Sequence, residues 1–246
     1  MKYLFFIFIF VFTFPVFVMA NNVVDTDGDG ISDADEINIY KTDPNNVDTD
    51  GDGYSDWMEL NNGFSPLNKD DVKLEKVDTD NDGLSDRMEL KFGTDLKNPD
   101  TDGDGHKDGD EIKTFHNPLN KEDIELPKRI EVNTGAQRLD YFLGGVKMGT
   151  FKISSGKASM PTPKGHFKII NKDLKAWSSY GLWMPYWMGM GTGKFGFHEL
   201  PVWPNGYREG ENHLGRPVSH GCVRLGVGSA KFLYGWANVG TPVFIY

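Results

Sequence analysis

One cysteine occurs in 246 residues, within Ser219-His220-Gly221-Cys222-Val223-Arg224, two positions after a histidine. A thiol attacks as thiolate, and imidazole or cationic neighbours favour that form, so this arrangement suits acyl transfer through a covalent intermediate. A single cysteine with histidines elsewhere in the chain reads as a nucleophile; a buried core thiol is the bland alternative. Gly221 lets the backbone approach a tetrahedral oxyanion, and N–H groups near Gly221 and Cys222 can stabilise it by about 2.7–4 kcal/mol. Ser219 and His220 either shape this turn by hydrogen bonding or take part in the chemistry.

A second pattern, Asp-x-Asp-x-Asp-Gly-x-x-Asp-x-x-Glu, occurs four times. The first copy holds Asp25, Asp27, Asp29, Asp33 and Glu36, and the second Asp48, Asp50, Asp52, Asp56 and Glu59. Asp78, Asp80, Asp82, Asp86 and Glu89 form the third, and Asp100, Asp102, Asp104, Asp108 and Glu111 the fourth. Carboxylates at positions 1, 3, 5 and 9 with a bidentate glutamate at 12 can give Ca2+ its six to eight oxygen ligands. Gly30, Gly53, Gly83 and Gly105 stand at position 6, where the loop turns sharply. Magnesium would demand tighter octahedral geometry, and zinc would want histidine or cysteine, of which the loops hold only His106. Position 8 is Ser32, Ser55, Ser85 and Lys107 where a paired EF-hand has an apolar residue, and turn-like leads replace a full entering helix. In these respects the loops resemble thrombospondin type 3 and dockerin-like calcium repeats. Loops one and three start 53 residues apart and loops two and four 52, so the region is a tandem duplication of a two-loop unit.

These two chemistries fall in halves of opposite charge. Residues 21–125 carry 30 acidic against 10 basic residues, and residues 126–246 carry 6 against 15. The acidic half needs cations to stay compact, and it reads as a calcium-stiffened spacer or, alternatively, as a docking module for a protein partner. The basic half suits an anionic polymer. Residues 1–20 read as a secretory signal peptide, with a lysine, an apolar run over 3–19 and small residues before the cleavage point; an uncleaved anchor is the alternative. Export places the mature protein in the cell envelope, periplasmic or extracellular, off the membrane after cleavage, and argues against nucleic acid as partner.

The basic half must position the cysteine on strands. Alternation and turn residues predict strands at 129–133, 137–142, 148–154, 166–170, 194–198 and 241–246, a tight turn at Gly144-Gly145, and a helix over 229–236. The expected fold is a mostly β domain, a sandwich or part-open barrel, behind a calcium-loop region with short helices. Trp177, Tyr180, Trp183, Tyr186 and Trp187 crowd one segment with Met184, as a cap over the core or a surface for stacking sugars. His213 is expected to be exposed and neutral.

Residues 129–246 resemble the L,D-transpeptidase catalytic domain. The resemblance rests on residues 150–156, 162–167, Phe197-His198, 214–225 and 240–243, taken in that order. It implies that Cys222 is the nucleophile, that His198 and not the nearer His220 exchanges the proton, and that the carbonyl of Glu199 fixes the imidazole tautomer. It implies a substrate-binding role for Arg224; a structural ion pair is the alternative. Residues 199–218 look like an insertion that lengthens a loop and alters substrate fit. The resemblance further implies a peptidoglycan transpeptidase that joins stem peptides by 3→3 crosslinks through a thioester, needing no catalytic cofactor. Water as acceptor would give an L,D-carboxypeptidase or crosslink hydrolase on the same residues, and a calcium-dependent wall-binding scaffold is the alternative of another class.

Overall fold

The computed structural model describes residues 23–246, so the expected signal segment lies outside the described residues. Contacts divide the chain into one unit ending at Lys73 and a second spanning Leu74–Tyr246. Among the described residues no helix is long and apolar enough to cross a membrane.

The first unit holds loops one and two. Each loop runs into a short helix: α1, Asp33–Asp35, continued by a π-helical turn Glu36–Tyr40, and α2, Asp56–Asn62. The serines at position 8 are their N-caps: Ser32 Oγ accepts from the Asp35 N–H at 3.1 Å and Ser55 Oγ from the Met58 N–H at 3.3 Å. That is why a small hydroxyl residue replaces the apolar one there. Asp29 also accepts from the Trp57 N–H at 2.9 Å, so loop one ties the start of the helix that leaves loop two.

The second unit repeats the order of loop and helix, without a side-chain capping bond from Ser85 or Lys107, and adds the β domain. Loops three and four lead into α3, Asp86–Phe92, and α4, Asp108–Thr114. Here Asp82 accepts from the Gly109 N–H at 2.6 Å. The β domain follows as β1 Lys128–Asn133, β2 Arg138–Leu143, β3 Val146–Ser154, β4 Gly165–Trp177, β5 Trp183–Met190, β6 Phe195–Glu199 and β7 Val223–Leu225, then α5 Ser229–Trp236 and β8 Pro242–Ile245. They close into a barrel in the order β1-β2-β3-β7-β6-β5-β4-β8. Neighbours pair antiparallel except β1 with β8 and β6 with β7, which are parallel.

Alternation fills the barrel. Ile130 and Val132 of β1, Leu139 and Leu143 of β2, Ile153 of β3, Phe197 of β6 and Val223 and Leu225 of β7 are fully buried. On α5, Ala230 and Leu233 share one helical face and enter the same core, with Trp236 beside them. Leu84 of loop three and Ile112 of α4 belong to that core too, and Met88, Phe92, Phe115 and Leu126 pack against it. Lys128 Nζ lies 3.4 Å above the Phe115 ring. The domain is mostly β, as expected, and closed; β5, β7 and the outer half of β4 are additions to the strands expected from sequence. The aromatic segment is itself strand, with Trp177 and Trp183 paired across β4 and β5, ring centroids 4.5 Å apart.

Candidate active site

The parallel pairing of β6 with β7 assembles the site. His198 lies opposite Arg224 in register, and Cys222 sits immediately before β7. A cavity of about 370 Å³ is lined by His198, Cys222, Arg224, Ser219 and His220, with Trp177, Tyr180, Met184 and Trp187 on the β4–β5 side.

His198 is 2 % exposed, and its Nδ1 lies 2.6 Å from the carbonyl oxygen of Glu199. A carbonyl only accepts, so the ring proton is on Nδ1 and Nε2 keeps a free lone pair. Burial, against the Glu199 hydrogen bond and with the Arg224 charge, pushes the imidazole pKa down to about 4. The Trp187 ring lies roughly parallel to it, centroids 6.1 Å apart. Burial pushes the Cys222 thiol up, while a backbone hydrogen bond from Gly196 and the Arg224 charge pull it partly back. Gly196 is a close-approach position: a Cβ there would meet the Met188 carbonyl oxygen at 2.2 Å.

Gly221 has φ +108°, which turns the chain into the cysteine at a position that favours glycine. Ser219, fully buried, pins this turn: its hydroxyl donates to the Cys222 carbonyl at 2.5 Å and accepts from the Gly221 N–H at 3.2 Å. The Gly221 N–H is thereby engaged within the turn. His220 is exposed and stacks on Tyr180, centroids 4.4 Å apart.

Arg224 is 5 % exposed, and its Nη1 donates to Glu209 Oε2 at 2.6 Å, so the ion pair allowed for in the sequence is present beside the cavity. Its Nε is buried with no partner. His213 is half-buried, Nδ1 3.4 Å from the same Glu209 oxygen, where an exposed ring was expected. Arg208 donates to Glu199 Oε1, whose other oxygen accepts from the Gly228 N–H at 3.3 Å. Arg208 and Glu209 carry no sequence motif; Arg208 is exposed and Glu209 half-buried, and their partners lie nine and fifteen residues away along the chain.

In the loops, the carboxylates at positions 1, 3 and 5 converge in all four copies, each offering one oxygen within 4.8 Å of the others. The aspartates at position 9 are turned elsewhere. Asp33, Asp56, Asp86 and Asp108 each accept two hydrogen bonds, from the N–H and hydroxyl of Thr26, Thr49, Thr79 and Thr101 respectively. Both oxygens are thus held inside the loop, where they strap it, apart from the converging triads. At position 12, Glu36, Glu59, Glu89 and Glu111 are buried, and both carboxylate oxygens of Glu59 and Glu89 lack a partner. A buried carboxylate without donors calls for a proton or a cation. Burial, reinforced by neighbouring aspartates, pushes Glu59 up to about 8 and Glu89 up to about 9.

Residues 127–245 match the family described as the L,D-transpeptidase catalytic domain, and residues 25–47, 48–63, 78–95 and 100–116 match the bacterial TSP3 repeat. YkuD of Bacillus subtilis, an L,D-transpeptidase by assignment, is 31 % identical over 103 residues, 41 % of this chain and 54 % of that protein. YciB of the same organism, assigned likewise, is 31 % identical over 114 residues, 43 % and 58 % of the two chains. The chain spans little more than half the length of these curated relatives. An L,D-transpeptidase structure from Mycobacterium smegmatis matches at 20 % identity and a TM-score of 0.44, covering 50 % of this chain and 59 % of that one.

Proposed function

With residues 127–245 matching the L,D-transpeptidase catalytic domain, we propose that the protein is an exported enzyme that forms 3→3 crosslinks between peptidoglycan stem peptides. The observation that carries this reading is one cavity lined by both Cys222 and His198, with the imidazole proton held on Nδ1 by the Glu199 carbonyl. Cys222 Sγ attacks the carbonyl between the third stem residue and D-alanine as its proton passes to His198 Nε2. Collapse of the tetrahedral adduct breaks the C–N bond, His198 returns the proton to the departing amine, and a thioester remains. An amine of a second stem attacks the thioester and yields its proton to His198; the new amide forms as the C–S bond breaks and the thiol is reprotonated. The apolar run over residues 3–19, expected to be a signal segment, supports export.

The loops are proposed to hold Ca2+ through positions 1, 3, 5 and 12. Support comes from the converging triads and the unpartnered buried glutamate oxygens. Calcium supplies charge compensation and rigidity to the repeats, outside the acyl-transfer chemistry.

Incubation of purified protein with disaccharide-tetrapeptide at fixed calcium is expected to give, by mass spectrometry, a dimer less one D-alanine. Cys222→Ala and His198→Ala are each expected to abolish it. Release of D-alanine without dimer would assign hydrolysis, and an active Cys222→Ala protein would overturn the mechanism.

A further inference from the structure

The excursion between β6 and β7 is built as a small hairpin. Val202 bridges Trp183 on one side and Arg208 on the other. Trp203 N–H donates to the Tyr207 carbonyl at 2.7 Å, and the turn closes through Gly206, φ +87°. Glu209 N–H donates back to the Pro201 carbonyl at 3.0 Å, which fixes the base of the hairpin beside the end of β6.

Consecutive residues of an extended segment point to opposite sides. Arg208 and Glu209 therefore reach in two directions, and each finds a charged partner beside the candidate catalytic pair. Arg208 grips the carboxylate of Glu199, the residue whose carbonyl holds the His198 ring proton. Glu209 grips Arg224, which lies opposite His198 in the β6–β7 register and two residues after Cys222. Glu209 and Arg224 are both nearly buried, at 14 % and 7 % side-chain exposure, so that pair is screened far less than a surface one, while Arg208, 39 % exposed, reaches in from the surface to Glu199, 5 % exposed.

We infer that Arg208 and Glu209 form a clasp of positioning residues: Arg208 orients His198 through Glu199, and Glu209 holds the Arg224 guanidinium and balances its charge beside Cys222. This inference rests on the proposed roles of Cys222 and His198. It gives the inserted loop a constructive part in the site, in place of a perturbation of substrate fit.

The test reads thiol chemistry as well as turnover. Iodoacetamide alkylation of Cys222 is followed against pH in wild type, Glu209→Gln, Glu209→Asp, Arg224→Gln and the Glu209→Gln/Arg224→Gln double variant. Removing the Glu209 charge leaves Arg224 uncompensated, which favours the thiolate, so the Glu209→Gln profile is expected to move to lower pH while Glu209→Asp stays near wild type. In the Arg224→Gln background the Glu209 substitution is expected to move nothing, because its effect passes through the guanidinium. A profile unmoved by Glu209→Gln, or moved equally with and without Arg224, would overturn the Glu209 half of the clasp. For the other half, Arg208→Gln is expected to lower kcat roughly 10²-fold with KM little changed, and Arg208→Lys to recover part of it. Loss confined to KM, or no recovery with lysine, would overturn it. If wild type shows no turnover, the proposed function fails, and the alkylation profiles still decide the role of Glu209.

Discussion

At the scale of single residues, burial overrides the simplest reading of cysteine beside histidine. Imidazole and a nearby guanidinium would favour a preformed thiolate, and Arg224 does pull in that direction. Desolvation is the larger effect on both partners, raising the thiol and lowering His198 to about 4, so the resting pair at neutral pH is thiol and neutral imidazole. In the proposed mechanism, proton transfer to Nε2 then accompanies attack instead of preceding it. Wild-type alkylation by iodoacetamide is accordingly expected to keep rising beyond pH 9, with no plateau in the neutral range. A plateau below pH 7 would reveal a standing thiolate–imidazolium pair. For stability the sign follows from the lowered His198 pKa: the unfolded ring takes up a proton below about 6.5, the folded one only near 4, so stability is lost as pH falls through that window.

At the scale of elements, the loops work as pairs because one loop caps the helix of the next. Gly109 is the second residue of α4, and a Cβ there would stand 2.7 Å from the Asp82 carbonyl oxygen and 2.9 Å from the Leu84 nitrogen, backbone atoms with little room to retreat. Alanine for glycine within a helix ordinarily stabilises by about 0.5–1 kcal/mol, as expected for Gly235→Ala in α5, where a Cβ meets nothing within 4 Å. Gly109→Ala is expected to reverse the sign and cost about 1–3 kcal/mol, read by denaturant titration in calcium; a gain equal to that of Gly235→Ala would show that loops three and four do not pack this closely. Such contacts across the chain are what sequence periodicity misses. β1 was legible because buried Ile130 and Val132 alternate with charged neighbours. β5 was not: its first four residues are half-buried and its last four wholly buried, with Pro185 and Gly189 interrupting any pattern. The outer half of β4 leaves Leu174 and Trp177 exposed among polar residues and reads as loop, while β7 is only three residues long. Cys222 announced itself by residue type, and His198 came from the family resemblance, since His220 is the nearer ring in sequence. Glu209 did not, since an acidic residue in a loop rich in glycine and proline reads as solvated until Arg224, fifteen residues later, is folded against it.

At the scale of the whole molecule, charge and compactness divide the chain differently. Composition changes sign near residue 125, yet the second compact unit begins at Leu74 and takes loops three and four in with the barrel. Leu84 and Ile112 carry that union, since both lie in the core that Ile130, Leu143 and Trp236 share. A cation in loop three would therefore stabilise the barrel as well as its own loop, because whatever binds only the folded form shifts the unfolding equilibrium of everything that unfolds with it. The effect must grow with pH. Glu89 without a cation holds its proton up to about 9 when folded and releases it near 4.5 when unfolded, so the calcium-free unit loses stability as pH rises across that range. With calcium bound the carboxylate is already ionised and that loss disappears. The melting temperature of the barrel transition, followed by near-ultraviolet circular dichroism, is thus expected to rise with calcium, and to rise more at pH 8 than at pH 5. Asp80→Asn in loop three is expected to remove most of the increase, and the matching Asp50→Asn in loop two to leave it. Equal effects of the two substitutions would mean that the four loops serve only as a spacer; no calcium effect in either unit would remove the cation from the repeats altogether.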